Sequence, residues 1–209
     1  MIRLSFWSKI GLGVWVILSL VGCAALSPEN YNNRYQLIES AKIPNHSNSK
    51  HLSILVMRPV GLDGYDSDKM LYVNQRFQVN SFARNAWLSP PSVMLLPLLI
   101  RSIESSHYFF AVASDLNTSK TDYRLESALI RLQQNFLMKP SHLELIMQVI
   151  LIHNSDNRVV ATETIYQSIP CSSDSPLGGV IAANFAARKL SSRVAHFVID
   201  QVVSEQGAS

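Results

Sequence analysis

Beyond residue 50 the chain alternates between strand and helix rhythms of apolar positions. In HLSILVM (51–57), Leu52, Ile54 and Val56 alternate with Ser53, Leu55 and Met57, which predicts a strand covered on both sides; Pro59 ends it. VGLDGYDSDK (60–69) is a Gly- and Asp-rich loop, and MLYVNQRFQVNSFA (70–83) reads as one or two strands, with Asn74-Gln75-Arg76 as the turn or polar middle. Ser89 before Pro90-Pro91, or Ser92, opens a helix, since Ser caps and Pro is tolerated in the first turn. Val93, Met94, Leu98 and Ile103 form its buried stripe, and Pro97 is expected to kink or delay it. YFFAVA (108–113) is a short strand. In 122–136, Tyr123, Leu125 and Leu129 share one parity, while Ala128, Ile130 and Leu132 share the other; a change of inward face predicts a bulge. HLELIMQVILIH (142–153) presents Leu143, Leu145, Met147, Val149 and Leu151 on one face, and 158–169 completes a meander across the turn 154–157. After the loop 170–179, a closing helix carries Ile181, Phe185, Leu190, Val194, Phe197 and Val198 at three- and four-residue steps. The order strands, helix, strands, helix predicts an α/β fold: a single layered domain over 51–205, with a mixed, mostly antiparallel sheet and two main helices.

The region before that domain follows neither rhythm. Arg3 and Lys9 precede an uncharged run, Ile10 to Gly22, of 13 residues. This is short for a spanning helix of roughly 20 residues, but fits the hydrophobic region of a signal peptide. The run ends at Leu20-Val21-Gly22-Cys23, which resembles the lipobox of bacterial lipoproteins. That resemblance implies a signal peptide over 1–22, cleavage before Cys23, and acylation of the Cys23 sulfur and the new amine. The alternative is an uncleaved N-terminal anchor with an incidental cysteine. One acyl chain binds membranes only marginally, whereas several hold stably. Ala24, in place of the Asp that retains some lipoproteins at the inner membrane, implies an outer-membrane address. Residues 23–50 are rich in Ser, Asn and Pro and read as a flexible tether, with Tyr35-Gln-Leu37-Ile38 as a short element able to dock on the domain.

Charge and cysteine content narrow the partners. Without Arg3 and Lys9, Lys and Arg fall from 18 to 16 against 15 acidic residues, so no basic excess argues for nucleic acid. With Cys23 acylated, Cys171 is left as a free thiol or half of an intermolecular bridge.

Catalytic patterns are missing from the sequence. It contains no Gly-x-Ser-x-Gly, His-Glu-x-x-His, Walker loop or Gly-x-Gly-x-x-Gly. Its six histidines (46, 51, 107, 142, 153, 196) stand singly. Asp63, Asp66 and Asp68 crowd one loop, but the Gly and terminal Glu of a calcium-binding loop are lacking, which favours a solvated loop. No metal, cofactor or catalytic residue is expected, and the chain does not read as an enzyme. Arg84 and Trp87, with Tyr72 and Phe82 nearby, form an aromatic patch that either packs in the core or serves as a partner surface, Trp, Tyr and Arg being common interface anchors.

The ordered set of local features resembles a known family. After the lipobox come Tyr35-Gln36-Leu37, a strand ending in Pro59, GYDSDKMLYV (64–73) and Trp87 before Pro90-Pro91. Asp122-Tyr123-x-Leu125 then opens a long strand with Gln133 and Phe136 near its end, and GGVIAANFAA (178–187) opens the last helix. Together they resemble the ABC-type transport auxiliary lipoproteins, which include the lipoprotein encoded beside paraquat-inducible MCE (mammalian-cell-entry) proteins. The resemblance implies an accessory role in lipid movement between inner and outer membranes, with no hydrolysis by the lipoprotein itself. The implied partners are an MCE-domain protein and the ABC permease and ATPase of the same system, with homo-oligomerisation open. A structural or envelope-assembly lipoprotein that moves no lipid fits the same anchor, tether and domain.

Overall fold

The computed structural model describes residues 33–45, 50–114 and 120–207. The expected signal peptide, Cys23, the start of the tether and His46 lie outside them. Among the described residues, β1 (Asn33–Tyr35), β2 (Lys50–Val56), β3 (Val60–Gly61), β4 (Lys69–Gln75) and β5 (Gln78–Trp87) precede α1 (Pro91–Ser105). Then follow β6 (Phe109–Ser114), β7 (Tyr123–Asn135), β8 (His142–His153), β9 (Arg158–Pro170) and α2 (Pro176–Gly207). The fold is α/β with one mixed sheet and two helices, as the sequence predicts.

The long strand β7 organises the sheet. On one side it pairs antiparallel with β8, and β8 pairs antiparallel with β9, giving the predicted meander. On the other side three successive segments lie parallel to it: β2 along Tyr123–Leu125, β3 along Ala128–Leu129 and β4 along Gln133–Asn135. The sheet therefore forks beyond β7, with β6 flanking β2, and β5 then β1 flanking β4. A register shift between Leu129 and Arg131 is the bulge that the parity change predicts. It turns Leu132 and Gln134 onto the buried side on which Leu125 and Leu129 had stood.

Both helices pack with that face. Leu143, Leu145, Met147, Val149 and Leu151 of β8 are all buried. Against them α2 lays a side of small residues, with Ala183, Ala186, Ala187, Leu190, Val194 and Val198 fully buried. Two stripe positions are corrected: Val93 of α1 and Ile181 of α2 face solvent. α2 also starts earlier than predicted, at Pro176, where Ser175 Oγ accepts the Gly178 amide at 3.1 Å. Pro97 does not delay α1, which begins at Pro91. A proline in a helix leaves the carbonyl four residues earlier without its bond; here that is Val93, whose exposure leaves the solvent to satisfy it.

The expected tether is in part a strap. In residues 33–45, Leu37 and Ile43 are buried in the core, so the domain begins before residue 51. The strap's backbone is held by helix side chains. Asn184 Oδ1 accepts the Ile38 amide at 2.9 Å and the Glu39 amide at 3.4 Å, and its Nδ2 donates to Gln36 O at 3.1 Å. Ser191 Oγ accepts the Ala41 amide, Ser102 Oγ donates to Ala41 O, and Ser105 Oγ accepts the Ile43 amide, at 3.0, 2.9 and 2.9 Å. No described helix is long and apolar enough to cross a membrane.

Candidate functional site

The aromatic residues singled out by the sequence converge on the β4–β5 hairpin. β4 is seated on the end of β7, where the Phe136 amide also donates to Val73 O at 2.8 Å. β5 is the outer strand. Only its base, Asn85–Trp87, has a further neighbour, β1. From Gln78 to Arg84 no other described strand pairs with its outer edge, so the hairpin presents free backbone.

The turn lies at Arg76-Phe77, between the paired Gln75 and Gln78, one to two residues later than expected. Phe77 is fully exposed (103%) and has φ +65°, a left-handed conformation that costs a residue with a Cβ roughly 1 kcal/mol or more. Beside it Val79 is half-exposed, and Gln78, Asn80 and Asn74 form a short amide chain with bonds of 3.1 and 3.2 Å. A strained, wholly solvated phenylalanine on a hairpin tip has nothing to gain from the fold itself. It lies outside the sequence-predicted patch, although an aromatic residue directly at a polar turn is its signal in the sequence.

The named residues separate into two groups. Tyr72 and Phe82 stack, with ring centroids 4.5 Å apart, and Phe136 meets both edge-on at 5.9 and 6.3 Å. This half-buried trio stiffens the middle of the hairpin. Arg84 is exposed, with no hydrogen bond or ion pair to a described residue. Trp87 is instead a core residue, 3% exposed. Its amide donates to Asp68 O at 2.8 Å, and Leu88 N donates to Tyr35 O at 2.6 Å, which pins it where strap and hairpin meet. Trp87 is thereby removed from the candidate exposed patch, on which Tyr72, Phe82 and Arg84 remain, with Phe77 at the tip.

The other polar groups are occupied by the fold. Asp68, from the acidic loop, pairs with Arg34 of the strap at 3.1 Å, and no group of three His, Cys, Asp or Glu among the described residues is placed to hold a metal ion. His153 Nδ1 faces Asp156 Oδ1 at 2.9 Å and Ser155 Oγ at 3.2 Å through the same nitrogen, so these three do not form a relay from acid through base to nucleophile. Burial, reinforced by its hydrogen bond to Glu205, pushes the Tyr123 hydroxyl far above its usual range. The Ser53 hydroxyl and amide hold the Asp122 carboxyl low.

Cys171 is a buried free thiol whose pKa is raised by burial, the opposite of what a reactive cysteine needs. Gln134 donates to Ser141 Oγ at 2.9 Å while its buried Oε1 has no hydrogen-bond partner. That oxygen lies only 2.5 Å from where a Cβ on Gly179 would sit, so any side chain there would have to push the buried Gln134 amide aside.

No protein-family model matches the chain, and no curated protein sequence matches it. Solved structures do share its fold. A Xanthomonas campestris protein of the DUF330 family superposes with a TM-score of 0.74 at 20% identity, covering 84% of this chain and 99% of that one. A second crystal structure, of an uncharacterized protein, gives 0.65 at 13% identity, over 81% and 99%. At these identities the likeness is one of fold, and it includes the α/β layering and both helices.

Proposed function

We propose that this chain is a lipid-anchored, non-enzymatic envelope protein that works by docking, as an accessory component of an ABC/MCE-type intermembrane lipid transport system. In this reading Cys23 carries the acyl chains, the address is the outer membrane facing the periplasm, and the hairpin tip meets the MCE-domain conduit. One observation carries the docking role: Phe77 is held fully exposed and backbone-strained at the end of a hairpin that aromatic stacking keeps stiff. Such strain persists where function retains it. The lipobox-like Leu20-Val21-Gly22-Cys23 supports the anchor.

The test is a gentle-detergent pull-down of the tagged full-length protein, with proteins and lipids identified by mass spectrometry. Recovery of an MCE protein with its permease, lost on Phe77→Ala, supports the reading. Recovery of cell-wall or envelope-assembly proteins alone would replace it with a structural role. Labelled fatty acid incorporated into Cys23→Ser protein would remove the anchor at Cys23.

A further inference from the structure

α2 carries an exposed stripe that the docking hairpin does not use. Leu177 and Ile181 are half-exposed (53% and 54%), and Phe185 follows at the same four-residue spacing. At that spacing the side chains share one helix face. One turn further on, Arg188 and Lys189 each place a cationic group 4.9 Å from the Phe185 ring centroid. The strap borders this stripe: the Ile38 amide is bonded to Asn184, Glu39 reaches Arg188 at 3.8 Å, and the Ile38 side chain is exposed. Lys42 of the strap then faces Arg188 and Lys189 across an open hollow of about 550 Å³, whose remaining lining is Ser40, Ala41 and Ser192. Exposed apolar side chains rimmed by cations and hydroxyls suit the zone between acyl chains and anionic headgroups.

We infer that this α2–strap stripe rests on the bilayer that holds the anchor, with Ile181 and its apolar neighbours at the headgroup boundary and Lys42 and Lys189 on lipid phosphates. The inference rests on Cys23 being the anchor. Only nine residues separate Cys23 from Asn33. Even fully extended, the ten steps between them span at most about 36 Å. A membrane-held Cys23 therefore keeps the start of the strap within that distance of the lipid surface, so that the helix face beside it can reach the headgroups. Charge selects the same occupant, because Lys42 and Lys189 make no ion pair with a described residue, whereas Arg188 is shared with Glu39. Each such cation near an anionic surface contributes about 1 kcal/mol, so removing both should lower the ratio of docked to undocked protein about 30-fold.

The experiment uses the full-length protein purified from membranes and reconstituted into vesicles of phosphatidylethanolamine and phosphatidylglycerol containing spin-labelled lipid. A fluorophore on Ile181→Cys reports the stripe, and one on Phe77→Cys reports the hairpin tip; Cys171 is buried and stays unlabelled. Several-fold stronger quenching at position 181 than at 77, lost in Lys42→Gln/Lys189→Gln and in phosphatidylcholine vesicles, is the expected result. Equal, weak quenching at both positions overturns the inference. So does a 181 probe already shielded from water without vesicles, since a second copy would then cover the stripe. Intact mass read in parallel separates the two readings. Acylated protein with an unquenched 181 probe leaves the anchor and removes the stripe, and unacylated protein with a quenched probe does the reverse.

Discussion

Asn184→Ala should detach the strap from α2, and the structure sets the size of the effect. The Asn184 side chain makes two bonds of ordinary length to strap backbone, to the Ile38 amide at 2.9 Å and to Gln36 O at 3.1 Å. A third, from the Glu39 amide, is long at 3.4 Å, and a fourth, to Val180 O, stays within the helix. A protein hydrogen bond contributes about 1 kcal/mol net, so the two good bonds amount to about 2 kcal/mol. Alanine returns up to about 0.7 kcal/mol through its better helix propensity, while the strap amides it leaves are half-buried and incompletely rehydrated. The expected loss is about 2 kcal/mol, or roughly 4–8 °C in the melting midpoint of a domain this size. Calorimetry gives the midpoint, and hydrogen exchange of the Ile38 amide shows whether the strap has lifted. Combined with Leu37→Ala, the loss should fall short of the sum of the single losses, because a strap already lifted cannot be lifted again. A midpoint within about 1 °C of the parent, with Ile38 still protected, would refute the reasoning.

Further predictions concern the hairpin and the turn before β8. Trp87→Ala should lower stability by about 3–5 kcal/mol in urea titrations, as expected for a truncated core tryptophan; a loss below about 1 kcal/mol would contradict its buried placement. Phe77→Gly should raise stability by up to about 1 kcal/mol, by relieving the positive φ, while weakening recovery of the docking partner; unchanged recovery would remove Phe77 from the interface. The Lys139 ammonium, with the Ser141 amide and hydroxyl, holds the exposed Asp174 carboxyl at about 2, below its ordinary 3.8. A depressed folded-state pKa contributes stability above the unfolded value that is lost as pH falls through the folded one. The difference in melting point between parent and Asp174→Asn, present at neutral pH, should therefore close as the pH falls from 3.8 towards 2; a constant difference would contradict the assignment.

The parts of the fold legible in the sequence are those where apolar side chains repeat against a single core. β8 has five inward residues in perfect alternation, and all five are buried. The β7 bulge was visible as a change of parity and appears as a register shift at Leu129/Arg131. Where contacts run through small residues or backbone, the pattern is silent. The inward side of α2 is built on Ala183, Ala186 and Ala187, which carry little hydropathy, so the pattern points the larger Ile181 inward although it faces solvent. The strap reads as a polar tether because helix Asn and Ser side chains hold its main chain, and such bonds leave no periodicity. The two-residue β3 forms only because β7 offers a free edge there. Trp87 and the Tyr72–Phe82 pair are alike in composition, and only tertiary packing buries the first in the core and leaves the others half-open.

The pairing of β1 with β5 also sets the spacing between strap and hairpin tip. β1 joins β5 at Asn85–Trp87, the base of the hairpin, whereas Phe77 lies beyond the opposite end of the same strand. β5 has ten residues, and at about 3.3 Å per residue it separates the two by about 30 Å. The strap therefore leaves β1 at the base of the hairpin, a strand's length from the exposed phenylalanine. The α2–strap stripe lies beyond this base, because the strap continues directly from β1 onto Asn184 and Ser191. In the proposed reading the stripe and the tip are separate surfaces, and each should be removable by a substitution that leaves the other intact: Lys42→Gln/Lys189→Gln for the lipid surface, Phe77→Gly for the partner. If both substitutions abolished the same interaction, the two surfaces would belong to one interface and this division of labour would be wrong.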